Sequence, residues 1–512
     1  MELRSYTAVF VGISFIFLLV QLIAGSLYAF GAISEGLKEK GFGHAVPVPL
    51  LGAAGNIGTF VSVYNGWLVD RCGPGISLAL GGGLLGLGYS SLSAIVQMPS
   101  SDAREYAALA AFFVVGNGAV LSFLSAYTSA AAFVPLPHWV GRASGTVLGA
   151  YAGAAALCAF IFKTVLHNDL VEFFELLSLS SHVISGLGAF AVLYLSVKHA
   201  QYVAATAGDV ALPEDDKVMG SSNEFKSLIT DEAGTTAIKE AGEGLLGDPV
   251  SEEAEAVEQE HAGKCGAFRQ NAGVLVRPAF VILWLIIFLG LGSALMFVNT
   301  ISDVSAAVTA GHVAASSLTR DCVIAFALSN VAARVVGGTC SDFLAKRGFS
   351  RLWMLLAGSA VGVVGHLLIA FTPMPSSESA LATWLVAASS VVGVSEGLLF
   401  LWPIAGREWF GAKKTGIFFT LLNSAVGVGS AVYTAAASGT LHKHSETTLS
   451  DQGVLVSHCE GSDCFRSSYI AAALSNAGAI LLGLWVMRLL SRRPAGSALQ
   501  DTAWPVSCNR KG

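Results

Sequence analysis

Twelve runs of apolar residues, each near the roughly 20 residues a helix needs to cross a bilayer, leave this chain few options. They lie near 7–33, 48–69, 75–97, 106–134, 140–165, 176–197, 277–299, 319–342, 352–372, 380–402, 415–437 and 467–490. In lipid every backbone N–H and C=O must find a partner inside the protein, which only helices and closed barrels achieve. The 57 glycines and the scarcity of alternating apolar and polar strands favour a helical bundle. Composition agrees. With 54% hydrophobic and 12% charged residues over 512 positions, the chain has too little polar surface to cover a soluble globule of its length. The expectation is an all-α membrane protein with twelve transmembrane helices, its bilayer being one partner.

The first run is too long and too weakly basic at its start for a cleaved signal peptide, so it is expected to stay as span 1. Basic residues set the orientation. One side receives Arg4, Arg71, Arg142, Lys346, Arg347, Arg351, Arg407, Lys413, Lys414, Arg488, Arg492 and Arg493; the other receives mainly Lys38, Lys40, Arg104, Arg320, Lys443 and Arg466. That bias of about two to one places both termini in the cytosol. The net charge of −6 includes no basic tract suited to nucleic acid, and none is expected as a partner. Cys158, Cys322 and Cys340 sit in apolar helix as small core residues. Cys459 and Cys464 share a polar loop, where a local disulfide or two free thiols are both open.

Between about 198 and 272 the composition turns rich in Glu, Asp, Gly, Ser and Thr, the mark of a disordered acidic linker. Within it, Glu224 to Ile229 (EFKSLI) resembles an acidic dileucine sorting signal, so the membrane of residence is plasma or endolysosomal/vacuolar. The linker separates residues 1–197 from 273–492, two six-helix halves, with a cytosolic tail over 493–512. The halves look related. GWLVDRCG from Gly66 to Gly73 follows span 2 and GTCSD from Gly338 to Asp342 follows span 8, with Asp70 and Asp342 offset by 272. Arg142-Ala-Ser-Gly145 and Lys414-Thr-Gly416 begin spans 5 and 11 at an offset of 271. Two landmarks at nearly one offset predict pseudo-symmetric halves, the pattern of secondary transporters with a site between repeats.

Gly66 to Gly73 resembles the loop 2–3 signature of the major facilitator superfamily, G-x-L-x-D-R-x-G, at Gly66, Leu68, Asp70, Arg71 and Gly73. The likeness implies the major facilitator fold, with Asp70, Arg71 and Asp342 as gating residues: a helix-end carboxylate held by a helix N-terminus or an arginine, released when the halves rock. Within the superfamily the chain is similar to the nodulin-like proteins, through Gly25, Ser26, Tyr28, Phe30 and Ser34 in span 1, Trp409-Phe410-Gly411, and C-x-G-x-x-C-F from Cys459 to Phe465. More distantly it resembles the monocarboxylate and oxalate/formate transporters. Span 4 lacks the arginine of many proton-coupled sugar and drug members, since Val114 to Ala119 is apolar apart from Asn117.

Arg334 raises the sharpest chemical question. It lies eight residues before Asp342, about 12 Å into the membrane at the helical rise. An arginine near a helix centre costs about 2.5–3.5 kcal/mol even on insertion scales, so it must face protein or a watery cavity. Its fork suits a carboxylate; satisfaction by helix-end carbonyls or by Asp342 is the other option. Monocarboxylate transporters resemble this segment with an Asp one turn before the Arg, where this chain has Asn330, so the titrating partner is expected to be missing. Glu396 in span 10 is the available coupling carboxylate. His366 in span 9 is expected to pack, and Asp303 to cap a helix or face water.

By superfamily analogy spans 1, 4, 7 and 10 line a cavity. Gln21, Ser26, Tyr28, Asn117, Asn299, Asn330 and Arg334 are therefore the candidate substrate contacts, although Asn and Ser between membrane helices commonly serve as interhelical bonds. Asn423 in span 11 has the same status. Gly81 to Gly83 and the four-residue spacing of Gly145, Gly149 and Gly153 predict close helix packing. No phosphate loop or enzyme constellation is present, no cofactor is implied, and His442 with His444 has too few partners for a metal site. The function expected is secondary active or facilitative transport of a small polar solute, preferably a small organic anion such as a monocarboxylate with a coupled proton, by a monomer. A transporter-like sensor or scaffold, or a carrier of a cation, metal or amino acid, is the alternative.

Overall fold

A computed structural model of the chain describes residues 3–46, 48–60, 62–208, 278–309, 314–373, 378–410, 415–444, 446–449 and 455–491. Among these, eleven helices are long and apolar enough to cross a membrane. Span 1 starts as α1 (Leu3–Ala24), tightens through a 3-10 turn at Gly25–Ala29 and continues as α2 (Phe30–Glu39). Span 2 is divided between α3 (Val48–Phe60) and the first part of α4 (Val63–Val96), whose remainder is span 3. The division explains why eleven long helices provide twelve crossings. Span 2 is interrupted near Ser62, and α4 leaves helical geometry at Gly73, where φ is 77° before Pro74. Only glycine adopts that backbone cheaply, which is why the signature ends on one.

Spans 4, 5 and 6 are α5 (Asp102–Ala132), α6 (Val140–Phe160) and α7 (Leu170–Gly208). Spans 7 to 12 are α8 (Pro278–Val308), α9 (Ala314–Lys346), α10 (Leu352–Ala370), α11 (Glu378–Leu399) prolonged by α12 (Trp402–Phe410), α13 (Thr415–His444) and α14 (Arg466–Ser491). A hairpin of β1 (Glu446–Leu449) and β2 (Leu455–His458) links the last two, with Glu446 opposite His458. The first residues of the expected linker extend α7 to Gly208; the rest, with Glu224 to Ile229, lies outside the described residues, as does the tail beyond 491.

One face of the bundle carries the chain ends that border the linker. Tyr6 belongs to it: its hydroxyl donates to Phe133 O at 2.6 Å and lies 2.8 Å from His199 Nδ1, while its ring stacks on Tyr202 at 4.7 Å. At this linker face the two halves share one apolar core, in which Tyr127 and Leu148 meet Leu399, Trp402 and Phe419. Toward the opposite face the core splits. One cluster from Leu27 to Leu177 belongs to the first half and another from Met296 to Ala472 to the second. The bundle is thus joined at the linker face and divided at the other.

Glycine makes the junction possible. A methyl group on Gly66 would collide with Gly416 O, and one on Gly141 with Gly338 O, so α4 meets α13 and α6 meets α9 backbone to backbone. Gly145 rests on Arg334 O, and Gly149 and Gly153 follow along Val335 and Val331. Gly81 and Gly82 pack within the first half, on Ser122 and Ser185, and Gly83 faces open space.

Candidate functional site

Two helices of the second half and one of the first assemble the centre. Gly397 has no side chain to hold α11 away from Ala333 and Asn330 of α9, so Glu396 comes up beside Arg334. Gly145 lets α6 approach from the other half. Arg334 is 2% exposed and Glu396 5%. Arg334 Nε donates to Asn330 Oδ1 at 2.7 Å, Nη1 donates to Leu148 O at 3.0 Å, and Nη2 lies 3.6 Å from Glu396 Oε1. The guanidinium carbon stands 3.9 Å from the centre of the Phe400 ring. Glu396 Oε2 has no protein partner. The expectation that Arg334 lacks a neighbouring carboxylate is therefore corrected: the acid comes from span 10, and Asn330 is the third member. Asp342 does not pair with Arg334; its arginine partner is Arg351.

The other sequence candidates divide between those near this centre and those turned away. Tyr28 is 37% exposed, meets Tyr151 edge to face at 5.5 Å, and lies within electrostatic reach of Arg334 and Glu396. Asn299 is also exposed, donating to Ser430 Oγ at 3.2 Å and Thr434 Oγ1 at 2.9 Å. Ser26 is buried and bonded to Ile23 O and Tyr89 OH, each at 2.6 Å. Gln21 donates to Phe123 O at 3.0 Å, an interhelical bond inside the first half. Asn117 accepts from Tyr64 OH and Asn65 Nδ2 beside the break in span 2. Ser26, Gln21 and Asn117 are thus engaged with their own half. His366 is buried against Tyr469, Asp303 is exposed at a cleft edge, and Asn423 is buried.

At the linker face the two signature aspartates make matching contacts across the halves. Asp70 Oδ1 and Oδ2 accept from Gly416 N at 2.8 Å and Ile417 N at 2.9 Å, at the start of α13. Asp342 Oδ1 and Oδ2 accept from Gly141 N at 2.7 Å and Arg142 N at 2.8 Å, at the start of α6. Free N–H groups and the helix dipole make each N-terminus a seat for a carboxylate. Arg351 Nη2 adds a contact to Asp342 at 3.2 Å. Arg71 does not share this latch; its guanidinium lies 5.7 Å from the centre of the Trp67 ring. Changing Asp70 and Asp342 together to Asn is expected to weaken the closed linker face by about 1.5–3 kcal/mol per site. Spin labels at positions 71 and 347 would show a longer distance population than in the wild type.

Sequence reasoning missed Leu148 O, Tyr151, Phe400 and Arg351. Only Arg351 carries a visible signal, a basic residue shortly after the second signature. Cys459 and Cys464 are joined by a disulfide in the loop after β2, and Gly461 N donates to Ala307 O at 2.9 Å, tying that loop to α8. Among the described residues no group of three His, Cys, Asp or Glu side chains could hold a metal; the side chain of His442 and most of its loop lie outside them.

Twelve crossings in two halves, joined through paired carboxylate and helix-terminus contacts, define a multi-pass membrane protein with the fold of the major facilitator superfamily. Comparison with solved structures agrees. The proton:xylose symporter XylE bound to 6-bromo-6-deoxy-D-glucose is similar with a TM-score of 0.61 at 14% identity, over 96% of this chain and 97% of that one. A double Trp mutant of XylE gives 0.56 at 12% identity, over 96% and 98%. At such identity the likeness is one of fold. Among curated proteins, Probable transporter MCH1 of Saccharomyces cerevisiae is 28% identical over 157 residues, 30% of this chain and 31% of that protein, so the match spans less than a third of the relative's length. No family model matches the chain.

Proposed function

We propose that the protein is a secondary active or facilitative transporter of a small organic anion such as a monocarboxylate. The observation that carries this is Arg334, whose guanidinium is buried between the halves and holds Leu148 O of one and Glu396 of the other. A solute carboxylate would take the place of Glu396 on the fork, where two parallel N–H···O bonds are strongest. Glu396 is then the coupling residue. Protonating it removes the competing anion, so a proton and a carboxylate bind together. The linker face closes through Asp70 and Asp342, and rocking about the glycine contacts exposes Arg334 to each side in turn. The curated relative is described as a probable transporter, which supports the same class.

The disulfide supports the topology in which the linker face is cytosolic, since structural disulfides persist in oxidising compartments and Cys459–Cys464 lies on the opposite face. The test is flux of radiolabelled lactate into proteoliposomes. Saturable uptake, accelerated by an acid outside, is expected. Folded protein that is stabilised by cations and carries no carboxylate would defeat the proposal, and folded protein with no flux of any solute would favour a sensor.

A further inference from the structure

Arg407 sits in α12, at the linker-face end of span 10, and is partly buried. It lines a cleft between α12 and the start of α13 together with Trp402, Thr415, Phe418 and Phe419. Among the described residues no carboxylate is within ion-pair distance of it. Its electrostatic neighbours are Tyr127 and the like-charged Arg351, itself committed to Asp342.

Buried donors without a well-formed partner lie in this cleft and next to Phe419 on its wall. Trp402 is 1% exposed and its Nε1 donates to nothing; Tyr127 OH and Ser144 Oγ are neighbours, yet neither makes a well-formed hydrogen bond. The Tyr127 and Trp402 rings both pack on Phe419, at 5.9 and 4.8 Å between centroids, and Phe419 and Trp402 line the cleft. Ser144 is one turn before Leu148, the acceptor of Arg334. Buried polar groups are nearly always paired in native proteins. A guanidinium without a counter-charge beside an indole N–H and a phenol O–H lacks one thing, an acceptor that carries negative charge.

We propose that Arg407, Trp402 and Tyr127 form a second anion station on the linker side, which receives the solute carboxylate from Arg334 when that face opens. The station rests on the organic-anion reading of the transported solute. It makes transport a transfer between two guanidinium groups, one central and one at the exit, with Ser144 between them. Arg351 keeps the Asp342 contact and is not part of the station.

Proteoliposomes sorted for one orientation separate the two ideas, with lactate as the probe presented to each face in turn. Arg407→Gln is expected to raise the linker-side KM about tenfold and Trp402→Phe about threefold, as for loss of a charged and a neutral hydrogen bond. The KM on the opposite face stays at the wild-type value, and the ratio of the two maximal rates shifts by the same factor, as detailed balance requires. Trp402→Phe removes the N–H and keeps a smaller aromatic ring in the same buried position, so it is a second variant that reports even if Arg407→Gln folds poorly. Wild-type KM values on both faces, or equal changes on both, would overturn the station while leaving lactate transport itself standing. Absence of lactate flux by the wild type from either face would remove the anion reading and the station with it.

Discussion

Arg334→Lys is expected to abolish most carboxylate transport, with affinity lowered about tenfold to a hundredfold, while the protein remains folded. Lysine keeps the positive charge beside Glu396 but cannot reproduce the fork. Arg334 now divides its donors among Asn330 Oδ1, Leu148 O and Glu396, a spread that a single ammonium cannot span. Losing charge-assisted bonds of this kind costs about 1.5–3 kcal/mol. Arg334→Ala should behave differently. It strands a buried Glu396, a loss of about 3–5 kcal/mol in stability, and adding Glu396→Gln should recover the melting temperature without recovering flux. Lactate binding by calorimetry and flux in proteoliposomes, read beside thermal unfolding, separate the two effects. Unchanged lactate affinity in Arg334→Lys would contradict anchoring by the fork.

The contrast between Asp70 and Glu396 shows what the sequence discloses and what it hides. Asp70 and Asp342 are legible as a latch because each sits in a short repeated signature, and the offset of 272 residues makes them counterparts. Their partners are backbone N–H groups at helix starts; the second landmark matches Gly145 to Gly416, whereas the contacts match Gly141 to Gly416, one turn earlier. The spans were legible for a simpler reason, since bilayer thickness sets their length. Glu396 and Arg334 are 62 residues apart on different helices, and nothing in either segment announces that Gly397 will bring them together. Local likeness directed attention to position 330, one turn from Arg334, whereas the packing supplied the acid from elsewhere.

Span 1 shows a second kind of loss. Ser26 and Tyr28 both fall on the expected cavity wall, yet only Tyr28 approaches Arg334. The chain between Gly25 and Ala29 is a 3-10 turn, with about 3.0 residues per turn in place of 3.6, so positions beyond it rotate off the face an α-helical pattern assigns. Gly25 fits there because a methyl would strike Tyr151 O, and Ser26 then turns to Tyr89 of α4. Leu148 O is harder still: a backbone acceptor leaves no mark in the identity of its residue.

Gly141→Leu is expected to prevent closure of the linker face and so stop transport altogether. At this position α6 crosses α9 with no side chain of its own, and even a first carbon would fall inside Gly338 O, Ser341 Oγ and Asp342 Oδ1. The obstruction includes backbone, which cannot rotate away as a side chain can. Each half retains its own packing, because the conflict exists only across the seam, so the variant should fold and insert with a melting temperature close to that of the wild type. Its conformational balance should move strongly: a clash of a few kcal/mol converts a closed form that dominates into a minor one, since each 1.4 kcal/mol is about a factor of ten. Spin labels at positions 71 and 347 would report the open linker face directly, and the same open form should present Arg334 to solutes from that side only. Gly153→Leu, three turns along the same stripe, is the matched control. Its nearest neighbour would be a Val331 methyl at 3.6 Å, an ordinary contact, so flux should stay near the wild-type rate. A Gly141→Leu protein with normal flux and an unchanged distance distribution would mean that the halves do not close through this glycine crossing.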